Sequence, residues 1–291
     1  MPSYAFDWVD AFTDQPFGGN ACMVVHDAEA VPVETRMRLV RETSLSECAY
    51  LVPSEKADFG VRYYLAEREI PLAGHPTIAT VTSLMARGLV GEGAFTLEVG
   101  AGVLPIETGP GGLVAMTQPA PSFGDMHAPE DIAAIYGLSP DDILGTPQTV
   151  STGTPFCITV LRDHAALRRA RLDVAALEAF RGQDSHRLAG MMEPFLVTLQ
   201  GATQAGDTFS RLLLAPPMPA EDSFTGSATG CMAAYLWHHG LIENPSFTAE
   251  QGQDMGRPGV ANVDVLGPRD SINGIRVTGT GVILMSGAVE L

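Results

Sequence analysis

The stretch that decides the fold is Glu221-Asp222-Ser223-Phe224-Thr225-Gly226-Ser227-Ala228-Thr229-Gly230, which runs into Cys231-Met232-Ala233-Ala234-Tyr235-Leu236-Trp237-His238-His239-Gly240. Two acids lead into a turn of glycines and hydroxyls, and about three turns of helix follow, closed by a glycine. Small residues at a helix start let another group approach the free backbone N–H donors there. Those donors and the helix dipole favour an anion by ~0.3–1 kcal/mol when exposed, and by more when partly buried. The helix is apolar on nearly every side, as suits a rod surrounded by protein. A plain core helix with an ordinary cap begins the same way, so this stretch alone leaves both readings open.

A second copy of the arrangement tips the balance. Glu69-Ile70-Pro71-Leu72-Ala73-Gly74-His75-Pro76 leads into Thr77-Ile78-Ala79-Thr80-Val81-Thr82-Ser83-Leu84-Met85-Ala86-Arg87-Gly88. Again an acid precedes a Gly-polar entrance and an apolar helix that stops at glycine. Pro76 suits the first helical position, where its missing N–H costs nothing, and Gly88 suits the left-handed residue after a helix. Gly74-His75 and Gly226-Ser227 occupy matching places in the two halves. The pattern predicts a degenerate two-fold repeat: two similar domains, each wrapped on one central helix, with both polar tips facing a shared cleft.

The rest of the chain agrees with an α+β fold. The 31 Gly and 21 Pro imply many turns and therefore short strands. Strands are expected over residues 4–12 and 21–25, from 47, and over 58–67, 95–99, 102–108 and 113–116, with a helix over 32–43. Gln118-Pro119-Ala120-Pro121 breaks the pattern. The first domain is therefore set at 1–117, the second at 118–279, and the closing segment 280–291 is a candidate to complete the first. The second half should hold a helix over 129–136 ended by Gly137, a strand over 150–161 interrupted at 151–155, and helix formers over 163–180 that divide at Asp173. Strands over 194–200, 208–214, 247–254, 260–266, 275–278 and 281–285 complete it.

Composition removes several function classes. A net charge of -17, spread along the chain without a Lys/Arg cluster, leaves nothing to neutralise nucleic-acid phosphates. No apolar run approaches the ~20 residues that cross a bilayer, and residues 1–7 have no signal-peptide pattern. Cys22, Cys48, Cys157 and Cys231 form no Cys-x-x-Cys pair, so a cytoplasmic protein with reduced thiols is expected. Metal is not expected. His238-His239 are adjacent and cannot share an ion as an i, i+4 pair can, and His26, His127, His164 and His186 read as solvated loop histidines. Ser227 lacks the Gly-x-Ser-x-Gly elbow, and Gly109-Pro110-Gly111-Gly112 joins strands rather than opening a nucleotide-binding helix.

Two polar residues outside the repeat stand out. Asn20 follows Gly18-Gly19 and reads either as a cleft residue or, more simply, as turn chemistry. Glu47, in Ser44-Leu45-Ser46-Glu47-Cys48-Ala49-Tyr50-Leu51-Val52, begins a strand with apolar neighbours on both sides. Drawn inward, its pKa would rise and suit proton transfer near neutral pH. On the polar face of a half-exposed strand it would be an ordinary surface Glu, and the residues alone favour that simpler reading.

Taken as an ordered set, several motifs resemble one family. They are Asp10-Ala11-Phe12-Thr13 with Pro16-Phe17-Gly18-Gly19-Asn20, Leu45-Ser46-Glu47, Glu69 to Thr77 as quoted, Thr152-Gly153, Glu221-Asp222 through Ser227-Ala228, and Gln251-Gly252 with Arg257-Pro258. They span almost the whole chain and resemble the PhzF-like family of phenazine-biosynthesis-type isomerases, within the diaminopimelate epimerase fold. The resemblance implies two barrel-like sheets, each curved around its helix, and a homodimer. It also implies a cofactor-free isomerase acting on a small carboxylate-bearing, unsaturated or cyclic metabolite. Glu47 would be its general acid/base, His75, Asp222 and Ser227 would complete the catalytic cluster, and Asn20, Gly74 and Gly226 would face the substrate. Three departures bear on the substrate rather than the proton-moving set. Ala21 stands where the family commonly has Pro, Tyr64-Leu65-Ala66 replaces Phe-Thr-Pro, and Phe224 is expected near the cleft.

Two other functions compete. A two-base racemase or epimerase of the same fold places a Cys at each helix entrance, where this chain has Gly74-His75 and Gly226-Ser227, with Cys231 a turn too deep. A small-acid binding protein without catalysis would keep the fold and produce no product.

Overall fold

Glycine and proline punctuate the chain into short segments, and eighteen strands result among the residues described by the structure. That structure is a computed structural model describing residues 2–182 and 193–291. The first half runs β1 (Ser3–Ala11), β2 (Asn20–Val25), α1 (Val33–Thr43), β3 (Cys48–Val52), β4 (Phe59–Tyr64), β5 (Glu69–Ile70), α2 (Gly74–Ala86), β6 (Gly93–Val99), β7 (Gly102–Gly109) and β8 (Leu113–Gln118). The second half opens with β9 (Ser122–Met126), α3 (Pro129–Tyr136), β10 (Ile143–Ser151), β11 (Pro155–Leu161), α4 (His164–Arg169) and α5 (Val174–Arg181). It continues with β12 (Phe195–Thr198), β13 (Thr208–Leu213), β14 (Glu221–Asp222), α6 (Gly226–His238), β15 (Ser246–Gln251), β16 (Gly259–Leu266), β17 (Gly274–Gly279) and β18 (Gly281–Glu290).

The repeat seen in the two helices extends to the strand pairing. In the first half β1/β2 is antiparallel, β2/β3 parallel, β3/β4 antiparallel, β4/β6 parallel, and β6/β7 and β7/β8 antiparallel. In the second, β10/β11, β11/β12, β12/β13, β13/β15, β15/β16 and β16/β17 follow the same order of senses. β8 and β17 pair antiparallel and join the halves. The chain's last strand returns to the first half, where β18 pairs with β1, and β9 takes the matching place beside β10 in the second. The fold is α+β, with each stretch of sheet wrapping one helix. α2 packs on β1, β2, β3, β8 and β18, and α6 on β10, β11, β16 and β17. Both helices are 13 residues long and buried over nearly their whole length, which accounts for their lack of a polar face.

The pairing aligns the repeats residue by residue. Tyr63 pairs with Ile70, as Leu212 pairs with Asp222, and each pair lies just before its helix. Tyr63 also pairs with Ala49, and continuing the Leu196–Arg211 register sets Phe195 opposite Leu212. Two residues upstream, Glu47 in one repeat therefore corresponds to Glu193 in the other.

Several local expectations change. Both central helices start at their glycines, so Pro76 is the third helical residue, still within the first turn where no N–H is required. Gly88, Gly137 and Gly240 adopt the left-handed conformation expected after a helix. Residues 150–161 are a hairpin turning at Gly153 (φ 139°) rather than one interrupted strand. β9 was not expected at all; its side chains are almost all exposed, so it carries no apolar alternation.

The histidine expectation is corrected at two positions. His127 is buried against the Thr149 hydroxyl, and His26 is buried with Nε2 3.2 Å from Asp7 and 2.9 Å from Ser83. Asp7 also accepts from Ser83, Ser286 and Arg87, which tie α2 to the strands around it and hold the Asp7 carboxyl below the usual range against its burial. One ring nitrogen of His26 faces both partners and the Ser83 hydroxyl donates to Asp7. The set is therefore a structural clasp, not a nucleophilic triad. His164 opens α4 and is half-buried, and His186 lies outside the described residues.

The helix starts meet directly. A Cβ on Gly74 would stand 2.5 Å from Gly226 Cα, and one on Gly226 would stand 2.7 Å from Phe12 Cζ. Gly74→Ala is expected to destabilise the protein by ~1–3 kcal/mol through overpacking, read as a lower denaturant midpoint. Gly91→Ala, which meets no atom within 4 Å, is the matched control and should leave the midpoint nearly unchanged.

Candidate functional site

The turn before α6 is assembled by strand alternation. In β14, Glu221 points to one side and is clamped by Arg211 through bonds of 2.8 and 2.7 Å, which leaves Asp222 pointing to the other. Gln251, buried at the end of β15, holds the turn by its backbone. Its Nε2 donates to the Asp222 carbonyl (2.8 Å), and its Oε1 accepts from the Thr225 N–H (2.9 Å). Sequence reading saw Gln251 only as part of a motif. The usable signal was a polar residue ending an otherwise buried strand, followed by a glycine.

Asn20 arrives from the other half on the turn between β1 and β2. Buried Asp10 accepts from the Phe17 N–H (2.7 Å) and from Arg257 (2.8 Å), while Arg257 also donates to the Gly18 (2.9 Å) and Gly19 (3.0 Å) carbonyls. This cross-half clamp delivers the Asn20 side chain to three partners. Its Nδ2 lies 2.7 Å from Asp222 Oδ1, 2.9 Å from the Phe224 carbonyl oxygen and 3.1 Å from His75 Nδ1. Asn20, His75 and Asp222, separated widely in sequence, thus form one buried network.

Two carboxyls face the same space with different surroundings. Glu47 precedes β3; its Oε2 is buried without a hydrogen-bond partner, and burial, with Asp222 nearby, raises its pKa well above the usual carboxylate range. Burial raises Asp222 too, but donors from Thr225 (2.6 Å) and Asn20 (2.7 Å) oppose the rise. The pair therefore differs by environment: burial lifts both carboxyls, but hydrogen-bond donors oppose the rise at Asp222 and none does so at Glu47. The His75 ring is 2% exposed, burial pushes it down to about 3, and its Nε2 has no partner.

Glu47, Asp222 and Ser227 line a cleft with about 340 Å³ of space, open solvent at its mouth included. Thr225 and Thr154 add hydroxyls, and Leu65, Ile70, Leu72, Phe156 and Met218 form an apolar wall. Among the described residues no Lys or Arg lines it. Neither central helix has a side-chain N-cap, so first-turn N–H groups lack that partner at both tips. Asn20 contacts the lining residue Asp222 and His75 contacts Asn20, while Gly74 and Gly226 supply the close approach of the tips. Phe224 is corrected: it is fully buried and stacked on Phe12 at 4.3 Å, and only its carbonyl touches the network.

The surroundings of Glu47 set a stability signature. A carboxyl with a raised folded-state pKa contributes its full stability below the unfolded value of ~4.3, and that contribution is lost as pH rises through the folded value. Glu47→Gln has no charge to bury. Its melting temperature should match wild type near pH ~4 and exceed it as pH rises above that; parallel curves would place Glu47 in water.

Comparison with known proteins agrees with this geometry. The family model described as phenazine biosynthesis-like protein, PhzC-PhzF, matches residues 9–287. The chain is 28% identical over 288 residues to trans-2,3-dihydro-3-hydroxyanthranilate isomerase of Pseudomonas chlororaphis, covering 97% of this chain and 98% of that one. A Bacillus anthracis phenazine biosynthesis protein of the PhzF family superposes with a TM-score of 0.85 at 26% identity over the whole of both chains. In fold alone, a hydroxyproline epimerase from Agrobacterium vitis is also similar, with a TM-score of 0.69 at 15% identity, 99% of this chain and 93% of that one. With the repeat, the cleft and these likenesses in agreement, the chain belongs to the phenazine biosynthesis-like family, PhzC-PhzF, and is an isomerase.

Proposed function

We propose that this isomerase works without a cofactor, moving a proton between carbons of a small, carboxylate-bearing, unsaturated cyclic metabolite, with Glu47 as the sole acid/base. The observation that carries the reading is the buried, unpartnered Glu47 oxygen beside the hydrogen-bonded Asp222 in a nearly closed cleft. A carbon acid ionises slowly, so the site has to stabilise the charge that develops on the substrate. Hydrogen-bond donors placed in a water-poor cleft do this, and the uncapped starts of α2 and α6 are suited to the substrate carboxylate. A carboxyl whose pKa is lifted toward neutrality takes a proton from one carbon and returns it to another on the same face.

A single base is supported by what stands in the second repeat. Glu193, the counterpart of Glu47, accepts from the Ala215 N–H (3.0 Å), pairs with Arg181 (3.3 Å) and is absent from the cleft lining. Two-base epimerisation needs an opposed group, and Cys231 does not supply one: it is buried in α6, with its thiol pushed up to about 11 by burial. The cleft lies between residues 1–117 with 280–291 and residues 118–279, which we take as the two domains. The homodimer and cytoplasmic location implied by the family belong to the same reading.

The test uses trans-2,3-dihydro-3-hydroxyanthranilate, the compound named for the Pseudomonas relative, in deuterated water. Isomerised product should form, and Glu47→Gln should lower kcat by ~10²–10⁴-fold while ligand binding persists. Full turnover in that variant would reject Glu47 as the base. Ligand-induced stabilisation without product, for this and related acids, would favour a binding protein.

A further inference from the structure

The Asn20 side chain has only two N–H hydrogens, yet its Nδ2 faces three groups. Asp222 Oδ1 and the Phe224 carbonyl can only accept, so the amide cannot be turned to present its oxygen there without two lone-pair clashes. The nitrogen that faces His75 is thus a donor with no lone pair of its own to offer. A hydrogen on His75 Nδ1 would point at an amide nitrogen that cannot accept it, so Nδ1 must be bare. A neutral imidazole then carries its hydrogen on Nε2. That Nε2 is buried and has no acceptor in the protein. A buried N–H left without a partner costs about 1–3 kcal/mol, and such groups in native structures call for an explanation.

We infer that Asn20 is a positioning residue that locks His75 as the neutral Nε2–H tautomer, and that this N–H is held for an acceptor oxygen of the substrate. His75 then stabilises developing negative charge as a neutral donor and neither takes nor gives a proton during the reaction. The burial that disfavours the imidazolium works in the same direction. Asn20 acts on the substrate through His75, since every hydrogen on its amide is engaged within the protein. The donor role rests on the function proposed above; the tautomer does not.

The experiment is nitrogen NMR of the histidine rings in uniformly ¹⁵N-labelled protein at neutral pH, with His75→Gln identifying the His75 signals by their loss. Wild type should show His75 protonated at Nε2 and bare at Nδ1, without any ligand. A wild-type ring protonated at Nδ1, or at both nitrogens, overturns the inference, and this reading does not depend on any Asn20 variant folding. Asn20→Asp replaces the donor by an acceptor and should move the hydrogen to Nδ1; a folded variant that keeps Nε2–H shows that Asn20 does not set the tautomer. In the isomerase assay Asn20→Asp should lower kcat by about 10²-fold or more, the scale of losing one donor to a developing charge. Unchanged kcat in a variant whose ring has flipped overturns the donor role. Retained turnover in Glu47→Gln would sink the proposed function while leaving the ring spectrum untouched, so the two ideas fail separately.

Discussion

The constraint on which the rest depends is the contact between two helix starts. Gly74 and Gly226 approach so closely that neither position has room for a methyl group, and Phe12 closes the space beneath Gly226. Two positive dipole ends repel, and bringing them together is unfavourable unless an opposite charge lies near. Asp222 is that charge within the protein, placed four residues before Gly226 and bonded to Asn20 and Thr225. A substrate carboxylate would serve the same tips. The tip contact thus explains both why the glycines are needed and why an acid precedes α6.

Asp222 in turn decides what Glu47 can be. Two carboxyls in one desolvated space cannot both ionise cheaply, and the one with more donors keeps the charge. Asp222 has the Thr225 hydroxyl and the Asn20 amide, while one oxygen of Glu47 has nothing. The donors come from opposite halves: Asn20 from the turn clamped by Asp10 and Arg257, Thr225 from the turn clamped by Gln251. Proton affinity at position 47 is therefore raised first by burial and then by Asp222, whose donors come from both halves, with no hydrogen bond to that unpartnered oxygen.

What could be read from the residues follows the range of the interactions. Local chemistry was legible: the glycine-bounded apolar helices, the left-handed closing glycines and the division at Asp173, whose side chain caps α5. The motifs, taken in order as a family resemblance, made the family legible as well. Interactions between distant segments were not legible. Apolar residues flank Glu47 on both faces, so periodicity could not choose between cleft and solvent. Phe224 sits beside the tip in sequence, but its ring turns away onto Phe12 and only its carbonyl joins the site. His26 and His127 read as surface residues because their partners Asp7, Ser83 and Thr149 lie elsewhere in the chain. β9 pairs through its backbone while its side chains face water, and side-chain patterning has nothing to say about such a strand.

The repeated sheet also frames how a symmetric scaffold becomes a one-sided site. The strand senses match pair for pair, yet the residues at equivalent places have diverged in kind. Ile70 stands where the other repeat has Asp222, Gly74-His75 matches Gly226-Ser227, and Glu193 occupies the place of Glu47. Glu193 carries the same functional group as Glu47, but a guanidinium and a backbone N–H hold both of its oxygens. Glu47 lacks both partners. A second base facing the first would serve a site that must deliver protons to both faces of a carbon. On the one-base reading proposed above, the wall of Leu65, Ile70, Leu72, Phe156 and Met218 would keep water and stray protons away from Glu47. On that reading, partner placement at two equivalent glutamates, more than residue identity, would separate one-base from two-base use of this architecture.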